Sequence, residues 1–317
     1  MPIETYKILT VRIKRNLIKA AFLLGIIAPC ITYAADKLTP QAMIGYLDRY
    51  QIKNGETLYD VARSFGVGID ELMYANQIID PWFPAAGTEL IIPSMHILPS
   101  KPHKGIVINK TALRLYYFPK ANSTEGAISF PIAIGKPGYE TPMGTTHIND
   151  KKENPSWRPT DKVRAEYPGL GLPAVVPPGP SNPLGEYAIY LGWDLIVMHG
   201  TNDPWTVGSH VSRGCIRMYP EHIKTLFSRV SRGTEVRVVD EPVKIGWLDN
   251  QLYLTVYPNR AQKDRIDLRK RVDVPRDSAA IKKNLLNIAA SHQVELDWNA
   301  VNTALQEYRS VPVRVSR

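Results

Sequence analysis

The sequence predicts a mainly β protein, with a small βααβ module ahead of the β-rich part and a small α+β region behind it. Three observations predict this. From Gly105 onward short apolar runs of period two (IVINK, LRLYYF, ISFPIAIG, YAIYLG, LIVMHG, TEVRVV) are separated by turn residues, which is the spacing of a mainly antiparallel β-domain. Ahead of them, Tyr50 to Pro93 reads strand, helix, helix, strand. After Val239 comes a hairpin pattern and then two helical ones. With 317 residues, 44% of them hydrophobic, the chain can bury two or three cores and is unlike a disordered composition.

The first 35 residues place Lys7, Arg12, Lys14, Arg15 and Lys19 before an uncharged stretch, Ala20 to Ala35. A basic start, a short apolar run and the small residues Thr32 and Ala34 suit a cleaved signal peptide over residues 1–35. A retained anchor is the alternative, but the apolar run is short for a bilayer that needs roughly 20 such residues. Pro29 makes Cys30 a poor lipobox. Removal of the leader would leave Cys215 as the one cysteine, with no disulfide partner in its own chain, in an oxidising compartment. The leader also carries five basic groups and one acidic, so the net charge falls from +9 to +5. A basic exported protein is drawn to anionic polymers or surfaces, and nucleic acid is not an expected partner there.

In the module over residues 48–94, a strand at Tyr50 to Lys53 meets the turn Asn54-Gly55. Thr57 suits an N-cap for a helix with Leu58, Val61, Ala62 and Phe65 on one face, stopped by Gly66. Asp70 is placed to cap a second helix, and Glu89 to Ile92 is a last strand. The segment is small enough for a binding unit and poor in titratable groups. "NGETLYDVARSFGVGIDELMYAN…AGTELIIP" resembles a LysM domain, which implies binding to the N-acetylglucosamine backbone of peptidoglycan or chitin.

A linker (SMHILPSKPHK) leads into the β-domain, residues 104–239. Within it, Pro142 to Gly185 is dense in Pro and Gly, and a long irregular stretch inside a compact domain reads as a functional lid or as surface padding. Trp157 and Tyr167 in it are candidates for substrate contact or for packing. In the last region, residues 240–317, a hairpin turns at Asp249-Asn250. Helices are expected from Ala279 to His292, after Asp277 and Ser278, and from Trp298 to Tyr308, after Asp297. No catalytic constellation is visible there.

Chemistry concentrates in "HGTNDPWTVGSHVSRGCIRM", His199 to Met218. A cysteine attacks carbonyls as thiolate and needs a base or a positive charge nearby. His199, at a strand end, can take the proton. Gly214 permits tight backbone geometry, so that N–H groups near Gly214 and Cys215 can form an oxyanion hole. Arg213 and Arg217 bracket the thiol, favouring the thiolate or holding a substrate carboxylate. Two other readings stand beside this one: an inert, buried Cys215, and a zinc site from His199, His210 and Cys215, for which a fourth ligand is hard to find.

The same stretch resembles the active-site signature of YkuD-type L,D-transpeptidases, matched at His199-Gly200-Thr201, Ser212 and Gly214-Cys215-Ile216-Arg217. Arg213 stands where many members have histidine. "TPMGTTHI", "NPSWRPT", "LPAVVPPGPSNPLGEYAIYL" and the region after Val239 are similar to the ErfK/YbiS/YcfS/YnhG branch of exported Gram-negative proteins. The resemblance implies an antiparallel β-sandwich fold and a periplasmic enzyme. It implies that Cys215 is acylated by meso-diaminopimelate of a peptidoglycan tetrapeptide stem, with loss of D-alanine. His199 would be base and then acid, Gly200 would orient the imidazole, and Ser212, Arg213, Gly214 and Arg217 would contact substrate. The acyl acceptor would be a lipoprotein C-terminal lysine or a second diaminopimelate, with water as the hydrolytic alternative. A non-catalytic wall-binding protein is the remaining rival. No metal or nucleotide cofactor is implied, and no P-loop or dinucleotide fingerprint is present.

Overall fold

The computed structural model describes residues 40–78, 80–267, 275 and 278–317. The expected leader, with Cys30, lies outside them, as does Asp277. Among the described residues no helix is long and apolar enough to cross a membrane.

The first part of the chain contains β1 (Met43–Ile44), β2 (Asp48–Gln51), α1 (Leu58–Ser64), α2 (Ile69–Asn76), β3 (Glu89–Ile92) and β4 (His96–Ile97). Strands β2 and β3 pair antiparallel. Helix α1 starts with a reciprocal cap: Thr57 Oγ1 accepts from the Asp60 N–H at 3.2 Å and the Asp60 carboxylate accepts from the Thr57 N–H at 2.9 Å. Such a cap contributes about 1 kcal/mol. Helix α2 starts two residues earlier than its aspartate suggests, with Gly68 as N-cap. Asp70 sits instead in the first turn, where its charge suits the helix dipole, 3.3 Å from Lys263. Leu58, Val61, Ala62, Ile69 and Leu72 close on Ile52, Leu90 and Ile92 to make one core.

Next come β5 (Gly105–Asn109), β6 (Arg114–Phe118), β7 (Ile128–Pro131), β8 (Ile134–Gly135), β9 (Gly144–Glu153), α3 (Asp161–Glu166), β10 (Tyr187–Leu191), β11 (Val197–His199), β12 (His210–Ser212), β13 (Ile216–Arg217), α4 (Pro220–Arg229) and β14 (Glu235–Val239). Eight of the strands form one sheet, in the order β13-β11-β10-β9-β14-β5-β6-β7. Neighbours are antiparallel except β11–β13 and β14–β5. The sheet curls until its ends meet. The chain leaving β7 passes through Ala133, which exchanges two 2.9 Å backbone hydrogen bonds with Arg217, and β8 then lies parallel to β12. Ile106, Ile108, Leu115, Ile148, Ile189, Met198 and Ile216 fill the curl with Ile223 and Leu226 of α4. Each fully buried aliphatic side chain contributes roughly 1.5–3 kcal/mol, so this end of the sheet is a firm platform.

One expectation needs correction. The stretch from Pro142 to Gly185 is not irregular throughout, because its first part is β9, a ten-residue strand paired on both sides. Its sequence, GTTHINDKKE, buries little beyond Thr146 and Ile148 and so lacks an apolar period. The remainder, residues 154–185, holds the short helix α3 and otherwise little regular structure.

The last region holds β15 (Val243–Leu248), β16 (Gln251–Val256), α5 (Arg260–Asp267), α6 (Ser278–Ser291), α7 (Trp298–Glu307) and β17 (Val313–Arg314). Asp249 and Asn250 are left-handed (φ 48° and 59°), as the two-residue hairpin turn requires. Leu285, Ile288, Val301 and Leu305 pack on Ile245, Leu252 and Leu254 in a separate core.

All three regions meet at a buried ionic cluster. Arg114 Nη2 lies 2.7 Å from Glu71 Oε2, with side chains 3% and 8% exposed. His96 Nδ1 is 3.4 Å from the other Glu71 oxygen. Lys244 Nζ donates to the Ile97 carbonyl and to Tyr116 Oη, and burial pushes its pKa down to about 7. Desolvation likewise holds His96 well below the usual histidine range.

Candidate active site

Strands β11 and β13 run parallel with Met198 beside Ile216 and His199 beside Arg217. Met198 and Ile216 are fully buried in the core. Side chains alternate along a strand, so His199, Arg217 and Cys215 share the opposite face, with Cys215 and His199 as diagonal neighbours across the strand pair.

The turn from Ser212 to Cys215 is held by its own backbone. The carbonyls of Ser212, Gly214 and Cys215 accept from the Lys136 N–H (2.9 Å), Thr141 Oγ1 (2.9 Å) and Ser212 Oγ (2.5 Å). Gly214 adopts φ +101°, and a Cβ there would sit 3.1 Å from Ile196 Cδ1. Its N–H donates to Ser212 Oγ at 3.2 Å. Ser212 is buried, with its hydroxyl used in both directions inside the turn. In this arrangement Ser212 shapes the loop that presents the cysteine.

Cys215 is half-buried, and its Sγ donates to the Leu195 carbonyl at 3.3 Å rather than to the imidazole. Burial pushes the thiol pKa up, against the smaller opposing effects of the Val197 N–H and the Arg217 charge. His199 is buried, with Nδ1 2.5 Å from the Gly200 carbonyl. A carbonyl only accepts, so Nδ1 carries the hydrogen and Nε2 keeps its lone pair. Desolvation, then the Arg217 charge, pull its pKa down to about 4. At neutral pH the site therefore holds a thiol and a neutral imidazole, not a thiolate stabilised by two arginines.

The arginines differ. Arg217 Nη1 donates to Thr206 Oγ1 at 3.4 Å, while its Nε is buried without a hydrogen bond. Arg213 does not bracket the sulfur as the sequence suggests. Its guanidinium pairs with Glu166 of α3 and lies over the rings of Tyr139 (4.8 Å) and Tyr167 (5.2 Å). The same contacts draw the Glu166 pKa down to about 2, Arg213 acting most and Tyr139 next.

Glu166 thus ties segment 154–185 to the turn two residues before Cys215. The segment is ordered. Trp157 and Val176 exchange backbone hydrogen bonds of 2.9 and 2.8 Å, and the fully buried Asn182 donates to the Pro155 carbonyl at 2.7 Å. Sequence reasoning missed Thr141 and Glu166, whose roles depend on folding rather than on any local pattern. Among the described residues no group of three or more His, Cys, Asp or Glu is arranged to hold a metal ion, so His199, His210 and Cys215 do not assemble as zinc ligands.

A family model for the L,D-transpeptidase catalytic domain (YkuD) matches residues 103–239, and one for the LysM domain matches residues 50–93. The probable L,D-transpeptidase YbiS of Escherichia coli (strain K12) is 39% identical over 267 residues, covering 83% of this chain and 84% of that protein. The chain belongs to the L,D-transpeptidase family. Two other probable L,D-transpeptidases of the same strain are similar to this enzyme: ErfK/SrfK, 39% identical over 83% of each chain, and YcfS, 43% identical over 61% of each. Among solved structures, a mutant of the Enterococcus faecium L,D-transpeptidase is 23% identical over 43% of this chain and 50% of that one, with TM-score 0.33. The enzyme from Mycobacterium smegmatis gives 21%, 50%, 75% and 0.32 for the same quantities. This L,D-transpeptidase thus joins a peptidoglycan-acting catalytic domain to a LysM domain, a module that suggests peptidoglycan binding.

Proposed function

We propose that this L,D-transpeptidase is exported to the periplasm of a Gram-negative cell and works through a cysteine acyl-enzyme on peptidoglycan. The observation that carries the reading is the placement of Cys215 and His199 on one face of adjacent strands, with the imidazole held in the Nδ1–H form by Gly200. Rotation of Cys215 about χ1, between staggered wells, carries the sulfur from the Leu195 carbonyl toward His199 Nε2. The sulfur then attacks the carbonyl of meso-diaminopimelate in a tetrapeptide stem as His199 takes its proton. The tetrahedral oxyanion is met by the Cys215 N–H, since the Gly214 N–H is committed to Ser212. His199 returns the proton to the departing D-alanine amine, leaving a thioester. An amine acceptor, either the C-terminal lysine of an outer-membrane lipoprotein or a second diaminopimelate, displaces the sulfur and completes the transfer.

Water competes for that thioester. Segment 154–185, tied through Glu166 to the turn that carries Cys215, is the candidate for the element that excludes it and favours transfer over hydrolysis. Arg217, half-buried and beside His199 across the strand pair, is the candidate for a substrate carboxylate. Mass spectrometry of products formed on diaminopimelate-containing tetrapeptide muropeptides, with and without a lysine-terminated peptide, tests the proposal. Transfer products that need Cys215 are expected. Stem trimming alone in the presence of acceptor would assign a hydrolase instead, and no product at all would leave a wall-binding protein.

A further inference from the structure

Outside the Cys215 site, one unassigned feature is an open cleft of about 660 Å³ where α1 faces the catalytic domain, lined by Tyr59, Asp60, Arg63, Trp205, Glu221 and His222 among others. Aromatic surface concentrates there. Tyr59 lies 4.6 Å from Trp82 and 5.9 Å from Trp205, centroid to centroid, and the two tryptophans are 6.4 Å apart. Trp82 and Trp205 nevertheless remain 49% and 46% exposed. Three large rings from three segments, gathered yet left open to water, are unexplained by packing, because full burial would stabilise the fold further.

We propose that this cleft binds the glycan strand of peptidoglycan, with the catalytic domain's own Trp205 as one of the stacking faces. The inference rests on the peptidoglycan reading above and goes beyond it: the LysM module does not hold the sugar alone. A pyranose ring has an apolar C–H face and a rim of hydroxyl and amide groups that both donate and accept, which suits the cleft. Tyr59 and Trp205 offer flat apolar faces. Arg63 and Glu221 make two hydrogen bonds of 3.2 Å to each other and are 44% and 46% exposed. A paired arginine and glutamate are neutral together and keep spare N–H donors and carboxylate lone pairs, so they favour a neutral polar ligand over a charged one.

The position of Trp205 gives the cleft its consequence. It sits in the Pro204–Thr206 turn, between His199 and Cys215 in the chain, and Thr206 accepts a hydrogen bond from Arg217. The LysM side is seated tightly against this loop: the Ile69 N–H donates to the Val207 carbonyl at 3.4 Å, and Tyr219 Oη donates to the Val67 carbonyl at 3.2 Å. A strand stacked on Trp205 thereby touches the loop that joins His199 to Cys215 in the chain, the loop that Arg217 contacts through Thr206.

The test uses the full mature chain with Cys215→Ala, so that no chemistry occurs, and chitohexaose, a peptide-free N-acetylglucosamine oligomer, as probe. Oxidation of tryptophans by N-bromosuccinimide, mapped by mass spectrometry with and without the probe, is expected to show Trp205 protected, with Trp298 on α7 as an unprotected reference. Trp205→Ala is expected to weaken chitohexaose affinity about tenfold, read by titration calorimetry, and Trp205→Phe to recover most of it. Equal oxidation of Trp205 with and without the probe, or unchanged affinity in a folded Trp205→Ala variant, would overturn the proposal. Footprinting of the chain with Trp205 in place needs no assumption about how the variants fold. Acylation of Cys215 by a free tetrapeptide, which carries no sugar, separately tests the catalytic reading, so failure of one is not mistaken for failure of the other.

Discussion

Two arginine–glutamate pairs in this enzyme have the same chemistry and opposite surroundings. Arg114–Glu71 joins the LysM module to the catalytic sheet with both side chains under a tenth exposed, whereas Arg213–Glu166 joins segment 154–185 to the cysteine turn with 22% and 33% exposed. Desolvation makes the first pair costly to break, because either partner left alone is a charge stranded in low dielectric. Water can replace either partner of the second. The difference teaches where the molecule is fixed and where it can open: the three regions are locked at Glu71, and the strap beside Cys215 is held by a bond that exchanges with solvent.

The largest effect is expected from Glu71→Ala, which should lower unfolding stability by about 3–5 kcal/mol in urea titrations. The double change Glu71→Leu with Arg114→Met should restore most of it. A small loss in the single variant would place the lock elsewhere.

Acid sharpens the contrast next. The folded-state pKa of His199 is about 4, below the ordinary unfolded value of about 6.5, so the unfolded chain binds the extra proton first. Stability is therefore fully present above pH 6.5 and falls as pH drops through that window, by on the order of 3 kcal/mol once below pH 4. His222, also pushed down to about 4 by burial, acts in the same direction. Melting temperatures recorded from pH 8 to 4 check the slope, and a flat profile would contradict the burial argument.

Between the two regions lies the cysteine turn. Thr141 is buried and bonds both the Gly214 carbonyl and the Gly135 N–H. Thr141→Val should cost about 1–3 kcal/mol by stranding those groups, and should slow acylation by loosening the turn. Loss of stability with an unchanged acylation rate would mean that Thr141 supports the fold and not the nucleophile.

The smallest stability effect is expected from Glu166→Gln. Its melting temperature should barely move, while KM for a tetrapeptide substrate falls as Arg213 is released to meet a carboxylate. A large drop in melting temperature would make this pair architectural too, and the comparison would collapse.

Local chemistry was legible where the sequence carries its own signal. The Thr57 cap, the Glu89–Ile92 strand, the Asp249-Asn250 turn and the helix after Asp297 each rest on neighbours in the chain, and they appear where their residues place them. Strand β9 was not legible, since a polar strand in mid-sheet has no apolar period to betray it. Helix α4 also escaped notice, though Pro220 marks its first turn. Around the site, the motif named Cys215 and His199 as the reactive candidates, but not Ser212 as a turn-former or Arg213 as a strap anchor. Those roles, like the Glu71 cluster, depend on partners 43 or more residues distant or on a buried geometry that no local pattern encodes.

The pH dependence of single-turnover acylation of Cys215, measured for the wild type and for His199→Ala, probes the central claim most directly. A neutral imidazole acting as base on a protonated thiol gives the wild type a rate that stays level from about pH 5 through neutrality, since His199 is already deprotonated there. The variant should instead rise about tenfold per pH unit, following the small fraction of thiolate. If the wild type climbs with the same slope as the variant, His199 does not take the proton and the account fails.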